Sequence, residues 1–197
     1  WQGGMEGGTA AAELLCGIGN PSGKLSDTFA KRLEDYPSTE NFHESDDYVD
    51  YAEDIYVGYR YFETIPGAAE RVNYPFGYGL SYTEFHWDIL SAEQVGEGIR
   101  IVVAVKNTGK FAGKEVIQLY IGDNEASVAR PVKELKGFRK IALEPGQKQT
   151  VTFEITPDML KFFDADKHEW VLEKGKFTAY ICAASDDVRT QVEFEVI

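Results

Sequence analysis

The stretch Ile99-Arg100-Ile101-Val102-Val103-Ala104-Val105-Lys106, followed by Asn107-Thr108-Gly109, alternates with a period of two. Ile99, Ile101, Val103 and Val105 share one face, and Arg100, Val102, Ala104 and Lys106 take the other. This is the signature of a strand with its sides in different surroundings. The three residues that follow are turn chemistry.

The same theme recurs outward from this stretch. Val116 to Ile121 is apolar on both faces, which suits a central strand. Val151, Phe153 and Ile155 alternate with Thr150, Thr152, Glu154 and Thr156. Phe177, Ala179, Ile181 and Ala183 repeat the pattern, and Val192, Phe194 and Val196 close it. Glu144-Pro145-Gly146 and Glu173-Lys174-Gly175 are further turns. With Phe85 to Leu90 and Trp170-Val171-Leu172, about seven short strands fit into about 110 residues, the arithmetic of an immunoglobulin-like sandwich. The Cys…Trp…Cys pattern of antibody domains is missing, which favours the fibronectin-III type. One helical turn is predicted at Thr156 to Leu160, with Thr156 as cap and Pro157 at the first helical position.

Upstream of about residue 84 the pattern differs. Residues 1 to 30 read as turn, helix, turn, strand. Gly3, Gly4, Gly7 and Gly8 surround Glu6, Thr9 is placed to cap a helix through Ala10 to Leu15, and Gly17 ends it. Asn20-Pro21-Ser22-Gly23 is a turn, and a strand is predicted over Lys24 to Phe29. Residues 31 to 80 have little periodicity but many aromatics, notably Tyr59 to Phe62 and Tyr74 to Tyr82. Such rings must pack on something, so this segment is expected to lie across another domain's surface. The fold class is therefore mainly β: a fibronectin-III/immunoglobulin-like β-sandwich over 84–197, preceded by a partial α/β segment over 1–83.

Composition agrees. Hydrophobic residues make up 43% of the 197 and aromatics 13%, enough for a packed, β-rich core. A net charge of −13 argues against nucleic acid and anionic membranes as partners. No run of about 18 apolar residues exists to span a membrane as a helix. Cys16 and Cys182 lie far apart in apolar stretches and are expected to be two buried thiols; with no disulfide framework, a reducing, cytoplasmic setting is the expectation. Trp1-Gln2-Gly3-Gly4-Met5 has no signal-peptide character and reads as the end of a strand, so the chain is expected to start inside a fold.

Candidate chemistry is sparse. The carboxylate pairs Asp46/Asp47, Glu53/Asp54 and Asp186/Asp187 are adjacent acids, which usually point apart and are solvated; none is assigned as catalytic. His43, His86 and His168 have no companions at ligand spacing, so no metal site is expected. No nucleophile elbow, P-loop or dinucleotide fingerprint occurs, and no cofactor is expected. Glu6, among its glycines, is expected to order the turn by accepting hydrogen bonds from neighbouring amides. Its bare surroundings also allow a ligand to approach closely. The aromatic clusters suit interface packing better than stacking on sugar rings.

Four segments, taken together, resemble family 3 glycoside hydrolases of the β-glucosidase kind. Gly3-Gly4-Met5-Glu6-Gly7-Gly8 is similar to that family's Gly-X-Glu-Gly-Gly turn. Asn20-Pro21-Ser22-Gly23-Lys24-Leu25 through Thr28-Phe29 resembles its Asn-Pro-Ser-Gly-Arg/Lys-Leu…Thr-Phe segment. Tyr56 to Phe62 and Pro75 to Thr83 are similar to the two aromatic signatures leading into its fibronectin-III-like domain. The resemblance covers the whole chain and implies its C-terminal part: the end of the α/β sandwich domain plus the β-sandwich. It implies a retaining parent enzyme whose aspartate nucleophile sits on a (β/α)8 barrel and whose glutamate acid/base precedes Trp1. No catalytic role therefore transfers to any residue here. The resemblance places Glu6, and Trp1 before it, near the substrate. In some relatives the barrel comes last, and the Met-Glu-Gly-Gly wording is similar to theirs. The implied partners are the remaining domains of the same enzyme, a β-glycoside or oligosaccharide substrate, and a homo-oligomer partner over apolar surface left uncovered. The alternative is a carbohydrate-binding or structural fibronectin-III-like module.

Overall fold

The structure, a computed structural model, describes residues 3–197. Trp1, and the expectation attached to its indole, lies outside the described residues. The chain opens with helix α1, Gly7–Leu15. It starts earlier than Thr9, the expected cap: Gly7 N–H donates to Gly4 O and Ala10 N–H to Glu6 O, each at 2.9 Å. Thr9 is thus inside the first turn, because small residues let the backbone wind before a side-chain cap is reached. The helix ends where expected. Gly17 has φ +73°. Ile18 N–H reaches back to Glu13 O at 2.9 Å and Gly17 N–H to Leu14 O at 3.1 Å, which satisfies the last carbonyls.

The predicted strand over Lys24 to Phe29 shrinks to β1, Phe29–Ala30. Helix α2, Tyr59–Thr64, and strand β2, Val72–Tyr74, complete this half, with β2 antiparallel to β1. Earlier in the predicted stretch only Leu25 is paired: its N–H donates to Tyr78 O and its carbonyl accepts from Gly77 N–H, both at 2.8 Å. The backbone touches its neighbour there without forming a continuous ladder.

The second half is a two-sheet sandwich. Its strands are β3 (Phe85–Val95), β4 (Gly98–Asn107), β5 (Gly113–Asp123), β6 (Glu134–Leu143) and β7 (Lys148–Ile155). After the helical turn α3 (Pro157–Leu160) come β8 (Phe162–Asp164), β9 (Glu169–Val171), β10 (Gly175–Ala184) and β11 (Asp187–Val196). One sheet runs β3-β4-β7 and the other β11-β10-β5-β6, all antiparallel. The inner face of β4 is the one read from sequence: Ile99, Ile101, Val103 and Val105 are all buried, opposite Ile117, Leu119 and Ile181. Phe177 stacks on Phe194 at 5.7 Å and fills one end of the core.

The expected total of seven sandwich strands is right, but its membership is not. Trp170 belongs to a satellite hairpin, β8-β9, outside both sheets. The seventh place goes to β6. Only Ile141 and Leu143 of β6 face the core, and charge at Lys136, Arg139 and Lys140 hides its period of two. The cysteine expectation holds by half. Cys182 is buried, whereas Cys16 is exposed just past α1. Burial pushes the Cys182 thiol up to about 12.

Two outcomes follow. A thiol-reactive probe added to native protein should label Cys16 alone, with Cys182 reacting only after denaturation; labelling of both sites at equal rates would contradict this burial pattern. Replacing Ile101, which has no exposed surface, by Ala should cost about 3 kcal/mol in urea unfolding.

Candidate functional site

The outer face of the four-stranded sheet is not left to solvent. Gln118 and Tyr120 project from it and are both buried, Tyr120 completely. Two buried polar side chains need partners. Tyr120 Oη donates to Gln118 Oε1 at 2.6 Å, and Gln118 Nε2 donates to Ala183 O at 2.7 Å and to Gly77 O at 3.4 Å. Burial, with the nearby Tyr59 adding to it, pushes the Tyr120 phenol above its ordinary range, so it stays a donor.

The cover is the aromatic segment. Tyr59 meets Tyr120 edge-on at 5.5 Å and lies 5.1 Å from Phe76. Its hydroxyl accepts from Leu135 N–H at 2.8 Å, and Thr64 Oγ1 accepts from Val132 N–H at 3.0 Å. Ion pairs line the same seam: Lys24 with Glu115 at 2.8 Å, Arg60 with Glu134 at 3.4 Å, and Lys133 with Glu63. Burial alone would raise the Glu134 carboxyl, but Lys136, Arg60 and Arg130 outweigh it and hold the group below the usual carboxylate range.

Two glycines allow this approach. A Cβ on Gly77 would lie 2.4 Å from Gln118 Oε1, and φ there is +80°. A Cβ on Gly79 would lie 2.3 Å from the carbonyl oxygen of Gly23. Both glycines of the Phe76-Gly77-Tyr78-Gly79 run are therefore places where something must pass without a side chain in the way.

Asn20 and Tyr82 form a second clamp. Asn20 Oδ1 accepts from Tyr82 N–H at 2.9 Å and Ser81 Oγ at 3.2 Å, while its Nδ2 donates to Ala112 O at 2.9 Å. Tyr82 Oη donates to Leu14 O at 2.7 Å. The C-terminal end of α1 is thus tied to the sandwich by hydrogen bonds rather than by burial, since no residue of α1 is buried.

Three of the four segments singled out in the sequence, 20–29, 56–62 and 75–83, therefore meet along one seam, while Gly3–Gly8 stands apart from it, and the aromatic clusters are interface packing in large part. Glu6 stands at the far end of α1, exposed, with no side-chain capping hydrogen bond. The expected set of amide bonds to its carboxylate is not formed; its carbonyl, not its side chain, meets the helix. Asp46, Asp47, Asp54 and Asp186 are exposed, and Asp187 pairs with Arg189 at 2.7 Å. A cleft of about 1000 Å³ opens between residues 73–87 and the β10-β11 turn. Its buried carboxylate, Glu115, is occupied by Lys24 and by Val116 N–H at 2.7 Å. The positioning role of Asn20 and Gln118 was not read from sequence, because, Tyr120 aside, their partners lie 41 or more residues away.

Comparison with known proteins matches residues 1–82 to the glycosyl hydrolase family 3 C-terminal domain and residues 115–185 to a fibronectin type III-like domain. Beta-glucosidase A of Butyrivibrio fibrisolvens is 53% identical over 209 residues, an alignment covering 96% of this chain and 25% of that protein. The crystal structure of a beta-glucosidase from Kluyveromyces marxianus superposes with a TM-score of 0.92 at 43% identity, over 98% of this chain and 23% of that one. The family 3 beta-glucosidase of Bifidobacterium adolescentis gives a TM-score of 0.93 at 34% identity, over 100% of this chain and 29% of that one. The chain spans about a quarter of the length of the curated relatives it matches. By four ordered motifs, by the seam that three of them build and by these likenesses, the chain belongs to the family 3 glycoside hydrolases, of which it holds the C-terminal-domain sequence and the fibronectin-III-like sandwich.

Proposed function

We propose that this chain is the non-catalytic C-terminal portion of a retaining, β-glucosidase-type glycoside hydrolase, and that it supports hydrolysis of β-linked glycosides by the full enzyme. The supporting observation is the seam. Its buried polar contacts and ion pairs brace the aromatic segment, and its clamp at Asn20 and Tyr82 fixes the direction of α1. In this reading residues 1–83 are the end of the α/β sandwich domain with its connecting segment, and 84–197 the fibronectin-III-like domain. Glu6 sits near the substrate at the free end of α1, with Trp1 before it. Of the carboxylates lining the cleft, Glu115 and Asp187 are engaged by Lys24 and Arg189, and no catalytic role is assigned to any residue of this chain.

The remaining domains of the same enzyme are the main partners. Leu15 and Ile18, at 85% and 76% exposure, form an apolar strip beside the α1 end that the rest of the α/β sandwich domain would cover; a second copy of the chain is the other way to cover it.

A chromogenic β-glucoside should show no turnover with this chain alone and should be cleaved once the missing domains are supplied; turnover by the isolated chain would refute the supporting role. Asn20→Ala removes the hub of the clamp. Amide exchange over residues 7–17 should then speed up about tenfold, corresponding to about 1.4 kcal/mol, while amides of β4 and β5 stay unchanged.

A further inference from the structure

Three buried side-chain atoms have no hydrogen-bond partner among the described residues: Thr28 Oγ1, Glu63 Oε1 and Ser185 Oγ. They come from distant parts of the chain: the residue before β1, helix α2, and the turn between β10 and β11. All three residues nevertheless line one small cavity, with Phe62, Val72 and Pro75 among its apolar walls. Thr28 and Ser185 are 4% and 1% exposed, and the Glu63 side chain is 13% exposed. Orphaned buried polar atoms are uncommon, and each costs about 1–3 kcal/mol if left unmet. Three residues that carry such atoms and line one hollow share a cause.

We infer that this cavity is a hydration site, in which ordered water bridges Thr28, Glu63 and Ser185 and so pins the connecting segment to the sandwich. The volume fits. About 40 Å³ is open to water centres, against the roughly 10–15 Å³ that one water needs. The donor set fits as well. Two hydroxyls can donate or accept, and the carboxylate oxygen accepts, which gives a water the two to four partners it requires. A metal ion fits less well. Only one of the three oxygens is charged, and that carboxylate is already neutralised through its other oxygen by Lys133. Calcium takes about six to eight oxygens, and magnesium prefers an octahedral set. The site also completes a chain of contacts: Ser185 N–H donates to Phe76 O at 2.8 Å, and Thr28 O accepts from Tyr36 Oη at 3.0 Å. The water would thus join two points already fixed by direct bonds, one on the sheet and one on the N-terminal segment.

The test is a crystal structure of the unmodified chain at a resolution that shows ordered water, supported by water-to-protein magnetisation transfer in solution. The expected result is density in the cavity with contacts of about 2.7–3.2 Å to Thr28 Oγ1, Glu63 Oε1 and Ser185 Oγ. Long-lived transfer from water to Thr28 and Ser185 is expected in solution. Ser185→Ala should raise the unfolding equilibrium constant about five- to tenfold. Any of three results would overturn the inference: an empty cavity, side chains turned to bond one another directly, or density with ion-like contacts of about 2.0–2.6 Å. A change below about twofold in Ser185→Ala would overturn the bridging role.

Discussion

The organising constraint of this molecule is a sheet whose outer face is buried at its centre. In a free-standing sandwich the outward residues of each strand meet water. Here Tyr120 and Gln118 point outward from β5, one of the two inner strands, and are buried. Leaving a phenol and an amide dry and unpaired would cost several kcal/mol, roughly 1–3 for each group. The fold meets that demand with a branched chain of bonds from Tyr120 to Gln118 to the backbones of Gly77 and Ala183. Residues 59–77 cover these groups, and Asn20, Ser22 and Lys24 tie the earlier part of the N-terminal half to the sandwich directly.

Charge reinforces the arrangement locally despite a net charge of −13. Arg130, Lys133, Lys136 and Lys140 gather on and just before β6, the edge strand next to the N-terminal segment. Arg130 bridges Asp123 and Glu134 at 2.9 and 3.2 Å, Lys133 takes Glu63, and Lys140 Nζ donates to Ser22 O at 2.8 Å. Unpaired edge strands are prone to adventitious pairing, and charged side chains with a covering segment are common protections. β6 has both. The pairs at Asp123 and Glu63 are largely out of water, so they depend on geometry and on remaining intact more than on the Coulomb term alone.

What could be read from sequence divides along physical lines. Strands with one buried face and one wet face, such as β4 and β7, announce themselves by alternation, and both were legible. β6 was not, because the residues facing the segment are charged and aromatic rather than aliphatic, so its period of two is masked. The start of α1 was misplaced for the opposite reason: glycines carry little propensity signal, and the helix begins among them. The four motifs revealed kinship and order but not what they do mechanically. Asn20 meets residues 81, 82 and 112, and Thr28 shares a cavity with residues 63 and 185; those juxtapositions exist only after folding. Glu6 was noticeable in the sequence by its bare neighbours, yet the bonds foreseen for its carboxylate are not made.

The contact between Gly79 and the Gly23 carbonyl has a bearing on heredity. Two main chains touch there with no room for a methyl group between them, so neither partner can be recombined away from the other without rebuilding both. A gene fragment cut at the first strand of the sandwich would sever that pairing and strip the sheet of its cover. The unit that keeps this contact accordingly begins upstream of residue 23 and takes the connecting segment with it as an inseparable passenger.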